Sequence, residues 1–400
     1  MSSDEAWPAV GWAEHPWRSS VPPELVSRAV REAHRGPYRS AVPPGIATRS
    51  PRLPVPLLGA AENAAVGIAR FDAEHAGTPL PFSALLLRSE SASSSQIENI
   101  TSGARALALA AIDATGAPRN AGLVLGNVRA MEAAVERAGN LGVAAVLDMH
   151  AALLNETEPA HAGTFRTEQV WLGGSGFGPH QADFVPPHAE LVPDLVADLM
   201  EFLRRDDLPV LVQAAVAHAQ FETIHPFVDG NGRTGRALVH ALLRRRGLAR
   251  RVVVPVSAGL LRETDAYVDA LGAYRRGDPE PIVARFAAAA EHAVAHGRGL
   301  VADLADVRRR WGTVVRAREG AAAWAVVDLL FRQPVLDVDA VVRAVGVTPA
   351  NAAKALATLA EAGVVVEFSG RRRGRRWHAP EITSALDEFA RRAGRRAPLT

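Results

Sequence analysis

Leu208–Ile224 is apolar at nearly every position for four helical turns. A helix with one apolar stripe lies on a surface, whereas one that is apolar all round must be enclosed by other elements. This stretch therefore demands a core built around it. It ends abruptly on His225-Pro226. The rest of the chain supplies the cover. Helical periodicity runs through Ala60–Phe71, Ser94–Ala114, Ala121–Ala138, Val143–Leu154, Val192–Arg204, Asn231–Arg246, Leu260–Arg275 and Pro281–His296,. The fold class is mainly α, a helical bundle around one buried helix.

Two regions break the helical trend. Residues 1–56 are rich in Pro and Ser and read as an extended arm packed on the core, or as partly disordered,. Residues 169–185 pair β-prone runs, Gln169–Leu172 and Asp183–Val185, around Gly173-Gly174-Ser175-Gly176, and Pro186-Pro187 stops them. That pattern predicts a β-hairpin inserted into a helical protein. Downstream, Arg308–Arg318 reads as a charged connector. After it Ala321–Phe331, Val338–Ala344 and Pro349–Ala362 read as short helices, with β-prone Val364–Phe368 and Arg375–His378 flanking a basic tip. Helix, helix-turn-helix and β-ribbon in that order predict a winged helix. The expected domains are 1–120, an N-terminal arm and helical region; 121–300, a catalytic core; 301–319, a connector; and 320–400, the winged helix.

Composition removes whole classes of chemistry. Lys plus Arg total 45 against 43 Asp plus Glu, but the only lysine is Lys354, and there is no cysteine. Disulfides, thiol nucleophiles, zinc ribbons and iron–sulfur clusters are excluded. So are a Walker-A lysine and the strand lysine of a protein kinase. Any nucleotide must be held by arginine and backbone amides. No uncharged apolar stretch reaches the ~18 residues of a membrane span. Met1–Pro8 lacks the apolar region of a signal peptide, so the expected location is cytoplasmic,.

The densest polar cluster is His225-Pro226-Phe227-Val228-Asp229-Gly230-Asn231-Gly232-Arg233-Thr234-Gly235-Arg236. A histidine leaving a rigid apolar helix suits a general base. Gly230 and Gly232 let the backbone turn its amides inward as an anion nest. The next helix adds the partial positive charge of its N-terminus at the same place. Arg233 and Arg236 are three apart, so both can reach one polyphosphate. Asp229 suits a Mg²⁺ that bridges phosphates. Gly230–Gly235 also fits GxGxxG, but a helix precedes it where a dinucleotide site needs a strand, and no acidic residue stands near position 250,. Metal ligation by His218, His225 and Asp229, or an ordinary turn with a satisfied histidine, are the other readings of the cluster.

His225–Arg236 matches the HPFx(D/E)GNGRxxR motif at every fixed position, and the chain is therefore identified as resembling Fic-domain proteins. The resemblance extends to Phe221–Ile224, Gly163–Arg166, Gln169–Gly173 and Phe184–Pro187, and covers roughly residues 55–300. It implies transfer of AMP from ATP to a Ser, Thr or Tyr hydroxyl of a target protein. His225 would deprotonate the hydroxyl, and Asp229 would hold Mg²⁺. Asn231 with the amides of Gly230 and Gly232 would cradle the α-phosphate, Arg233 would meet the β-phosphate and Arg236 the γ-phosphate. The hairpin at 169–185 would be the flap that aligns the target. Leu260–Leu271 resembles the helix that carries an adenine-contacting Tyr-Tyr pair; only Tyr267 carries over.

Ser94, Glu98 and Asn99 fit the family's inhibitory motif, (S/T)xxxE(G/N), placed before the catalytic motif. The resemblance then implies autoinhibition, with Glu98 pairing with Arg236. Ser95-x-x-Glu98 is equally a capping box for a helix over Ser94–Ala114. Removal of AMP at the same site is an alternative, as is a DNA-binding regulator with the Fic domain as sensor. Arg371–Arg373 with Arg375 and Arg376 form the basic patch that would meet phosphates, while a protein partner on the winged helix and a second copy of the chain are the other candidate partners.

Overall fold

A computed structural model describes residues 6–19, 22–75, 82–370 and 374–394. The helices in chain order are α1 (Arg28–Ala33), α2 (Val55–Glu74), α3 (Phe82–Ile97), α4 (Ala104–Ala110), α5 (Arg119–Arg137), α6 (Val143–Leu154), α7 (Val192–Arg204), α8 (Val210–Ile224), α9 (Asn231–Arg245), α10 (Val256–Leu261), α11 (Thr264–Arg275), α12 (Glu280–Val314), α13 (Ala322–Leu330), α14 (Val338–Val345), α15 (Pro349–Glu361) and α16 (Pro380–Ala393). The strands are β1 (Gly11–His15), β2 (Tyr38–Val42), β3 (Val335–Asp337), β4 (Val366–Glu367) and β5 (Arg376–His378). The protein is mainly α.

The chain forms two compact units, each discontinuous in sequence. One comprises Met1–Glu62, Ala133–Arg246 and Asp265–Phe286, the other Asn63–Glu132, Gly247–Thr264 and Ala287–Thr400.

The first unit is built around α8. Every residue from Leu211 to Ile224 is buried, as the all-round apolar pattern demands,. Pro226 ends the helix, because a residue before proline is pushed out of the right-handed helical region. His225 leaves the helix in the left-handed region, at φ 50° and ψ 62°. Helix α9 packs on α8 at Gly235, where a Cβ would stand 2.9 Å from Phe221 Cδ1. The N-terminal arm is ordered on this core. β1 pairs antiparallel with β2, Gly11 opposite Val42 and His15 opposite Tyr38. Ala41 N donates to Val185 O at 2.9 Å, and Ile46 N donates to Asp198 Oδ2 on α7 at 2.6 Å.

The hairpin expected at 169–185 returns antiparallel but is not a ladder. Leu172 and Phe184 form one isolated bridge, with Leu172 N donating to Phe184 O at 2.8 Å. Pro179 opens a 3₁₀ turn, and Pro186-Pro187 follow the bridge. Prolines have no N–H to give a ladder. The glycine corner is forced: Gly174 has φ +69°, and a Cβ there would lie 2.4 Å from Gln181 O.

In the second unit α3 and α10 are locked by Glu90, fully buried, which accepts from Ser257 N at 2.9 Å and Ser257 Oγ at 2.6 Å. Helix α16 packs on α3 and α4. Helices α13, α14 and α15 fall where they were expected, but β3 and α16 carried no signal in the sequence reading. The sheet order is β3-β5-β4, all antiparallel. Helix α12 runs on to Val314, through much of the stretch read as a connector. The helix expected over Leu260–Arg275 is two, α10 and α11. Arg371, Arg372 and Arg373 lie outside the described residues. Of the other basic-patch arginines, Arg376 is paired with Asp113, and Arg375 lies over the Trp377 ring at 4.9 Å and 3.5 Å from Glu367.

The helix read over Ser94–Ala114 is absent as such. α3 ends at Ile97, and α4 starts at Ala104. Ser95 and Glu98 thus close a helix, so they form no N-terminal capping box. Ile100 N donates to Ser95 O at 3.0 Å across Asn99, which has φ 59°. This left-handed turn is how helices commonly stop, and after glycine asparagine tolerates it best.

Candidate active site

The turn between α8 and α9 carries the site. Gly230, φ +78°, ends the turn and opens α9, and a Cβ there would lie 2.7 Å from Leu153 Cδ2. The first amides of α9, at Asn231, Gly232 and Arg233, have no acceptor within the helix and point into the space before it. With the positive end of the helix dipole they form a seat for an anion.

Three braces fix the turn. Phe227 is fully buried, and its N–H donates to Asn231 Oδ1 at 2.9 Å while its carbonyl accepts from Asn231 Nδ2 at 2.9 Å. The Asn231 side chain, expected to face the α-phosphate, is thus wholly engaged in holding the loop; its backbone amide is what it offers an anion. His150, on α6, stacks on Phe227 with centroids 3.6 Å apart and planes 5° apart. His150 Nε2 lies 3.0 Å from Asp229 O, and His150 Nδ1 accepts from Gly163 N at 3.1 Å. These partners fix a neutral ring with its proton on Nε2, and burial pushes its pKa down to about 4,. Arg166, 3% exposed, donates through Nε to His225 O at 2.8 Å and through Nη2 to Pro187 O at 2.6 Å. It ties the histidine to the end of the flap.

The charged groups sit around this frame. Asp229 is half exposed and accepts from Arg233 Nη2 at 2.8 Å. Arg233 is 3% exposed, and its Nε and Nη1 are buried without a hydrogen-bond partner. Unpartnered buried donors are costly, at about 1–3 kcal/mol each, which marks a place shaped for a missing acceptor. Arg236 is 2% exposed. Burial, with Arg166 and Arg275 beside it, holds the His225 imidazole down to about 3, so it is neutral and able to accept a proton at neutral pH. Among the described residues no three His, Cys, Asp or Glu side chains cluster to hold a metal. Mg²⁺ bound with phosphates commonly takes only one or two carboxylates from protein, and half-exposed Asp229 beside the anion seat fits that donor set.

Tyr267 is 3% exposed, its hydroxyl 2.6 Å from His218 Nε2 and its ring stacked on His218. That places it in the core beside α8. Ser94 is buried in α3, and Glu98 and Asn99 are exposed just beyond it, in the second unit. The loop residues 225–236 are gathered in the first. His150 escaped the sequence reading because nothing local distinguishes it on an apolar helix, and Arg166 entered only through resemblance.

A model of the Fic/DOC family matches residues 140–243. Curated relatives include a protein adenylyltransferase fic-1 of Caenorhabditis briggsae, 34% identical over 142 residues, which are 34% of this chain and 25% of that protein. A protein adenylyltransferase Fic of Drosophila willistoni is 32% identical over 141 residues, again 34% and 25% of the two chains. The chain spans about a quarter of the length of the curated relatives it matches. Among solved structures, a Fic family protein from Desulfovibrio desulfuricans G20 has a TM-score of 0.50 at 23% identity, covering 83% of this chain and 98% of that one. At that identity the likeness is one of fold.

Proposed function

We propose, from the Fic/DOC family domain that residues 140–243 of this chain form, that the protein transfers AMP from ATP to a hydroxyl of a target protein. The observation that carries the reading is Arg233: two buried guanidinium nitrogens without acceptors, beside an amide-lined helix N-terminus, within one turn of a histidine kept neutral. An oxyanion-rich ligand answers all three. The relatives are protein adenylyltransferases by name, which supports the choice of nucleotide and acceptor.

In this reading His225 takes the proton of the attacking hydroxyl. The hydroxyl oxygen bonds to the α-phosphorus, the bond to the β-phosphate oxygen breaks, and pyrophosphate leaves. The amides of Asn231 and Gly232 seat the α-phosphate, Arg233 the β-phosphate and Arg236 the γ-phosphate. Asp229 would hold Mg²⁺, which supplies charge neutralisation on the polyphosphate. Positioning and charge stabilisation do most of the work. The flap at 169–185 aligns the target segment. Glu98 would pair with Arg236 and block productive ATP; the fit of Ser94, Glu98 and Asn99 to the (S/T)xxxE(G/N) motif supports that role. The order α13, β3, α14, α15, β4, β5 supports reading the C-terminal elements as a winged helix, docking a partner.

Incubation with Mg-ATP labelled at the α-phosphate, followed by mass spectrometry of protein and lysate, tests the reading. Labelling is expected, absent in His225→Ala and raised in Glu98→Gly. A label only from γ-labelled ATP, or equal labelling by His225→Ala, would remove the AMP-transfer reading. Equal labelling by wild type and Glu98→Gly would remove the inhibition.

A further inference from the structure

Glu222 is a buried carboxylate that the steps above leave without a role. It lies on the last turn of α8, one turn before His225, and is 7% exposed. Glu222 Oε2 is 3.8 Å from His225 Nδ1, and Oε1 is 3.9 Å from His218 Nε2, the nitrogen that meets Tyr267. Arg275 donates to Glu222 O at 3.4 Å, its guanidinium lying 3.7 Å above the Phe184 ring. A carboxylate with almost no water must face positive or donating groups to stay charged. Here the carboxylate faces two imidazoles, and the Arg275 charge acts on it from beside the Glu222 carbonyl.

The geometry bears on the base. Proton transfer turns His225 from neutral to cationic. Arg166 and Arg275 oppose the change, while a hydrogen bond with the Glu222 backbone and the charge of Asp229 favour it. Glu222 stands on the Nδ1 side of the ring. A group on that side fixes which nitrogen carries the resting proton, as the third member of a catalytic triad does.

Resting on the AMP-transfer reading, we propose that Glu222 is a positioning residue for His225: it faces Nδ1, leaves Nε2 to take the hydroxyl proton, and offsets the two arginines as the ring becomes cationic. The balance of the step is unchanged, with the proton ending on Nε2 and pyrophosphate leaving with the electron pair.

The test uses the full chain. Labelling rates of wild type, Glu222→Gln and Glu222→Asp are measured against pH and ATP concentration. Glu222→Gln is expected to lower kcat about tenfold or more with the KM for ATP within about twofold, and to move the acid limb to lower pH. Glu222→Asp, which keeps the charge, recovers most of the rate. An unchanged rate and acid limb in Glu222→Gln, or a change in KM alone, overturns the proposal. Absence of labelling in wild type speaks against the AMP reading instead. Nitrogen NMR of ¹⁵N-histidine protein, which needs no substrate, then decides: His225 is expected to carry its proton on Nδ1 in wild type and not in Glu222→Met. The same tautomer in both overturns the proposal.

Discussion

Both ends of the Asn231 side-chain amide are taken by Phe227, so a residue whose type suggests phosphate contact acts first as a strut. Asn231→Ala strands a buried N–H and a buried carbonyl, and a loss of about 2 kcal/mol is expected in urea denaturation, with slower labelling. Three histidines held far below their usual range give a second expectation. His150 is held down to about 4, and His218 and His225 to about 3, mainly by burial. An unfolded histidine titrates near 6.5. As pH falls below that value the unfolded chain binds protons that the folded one refuses, so stability falls through the window from about 6.5 towards 3–4. Each site removes up to ~1.4 kcal/mol per pH unit. Denaturation curves at pH 7.5, 6 and 5 should show a falling midpoint, with a smaller fall in His150→Gln; a flat profile would contradict it. His225, Asp229, Arg233 and Arg236 could be put forward from the sequence because they fall within one run of twelve residues. Their braces were not: Arg166 lies 59 residues and His150 79 residues from the atoms they hold, and no local pattern encodes such pairs.

Among elements, helix ends were legible where a backbone constraint is written into the residue type. Pro226 stops α8 at the expected place, and Gly230 opens α9. The end of α3 was missed, because a serine-rich polar run with Glu98 and Asn99 reads equally as a helix start. Among the described residues Asn99 and His225 alone are non-glycine with positive φ. Asn99→Val should therefore cost about 1–2 kcal/mol, measured as a shift in the denaturation midpoint, while Asn99→Gly should stay within a few tenths. A loss in Asn99→Gly as large as that in Asn99→Val would mean that side-chain contacts, not backbone geometry, fix the turn. The flap was legible as an antiparallel return from its alternating runs and glycine corner. Its lack of a ladder follows from prolines that remove donors on one arm.

At the scale of the molecule, the first unit needs its N-terminal stretch. Residues 1–62 give β2 to the flap through Ala41 and the capped turn at Ile46–Ala47 to Asp198. A fragment cut at the expected limits 121–300 lacks both and carries pieces of the other unit without their neighbours. It should show no cooperative transition by circular dichroism, whereas the full chain should show one; a cooperative fragment would mean that the arm only decorates the core. The interleaving was beyond the sequence reading because helical periodicity marks elements, not which distant element covers them. It also has a consequence during synthesis. Ala41 leaves the ribosome long before Val185 exists, and at roughly 5–20 residues per second the interval is on the order of ten seconds. For that time β1 and β2, with Trp12 on the ribbon, form a short ribbon with an open edge and nothing to pair with,. The nascent arm therefore waits through that interval without its partner, and faster synthesis shortens the wait,.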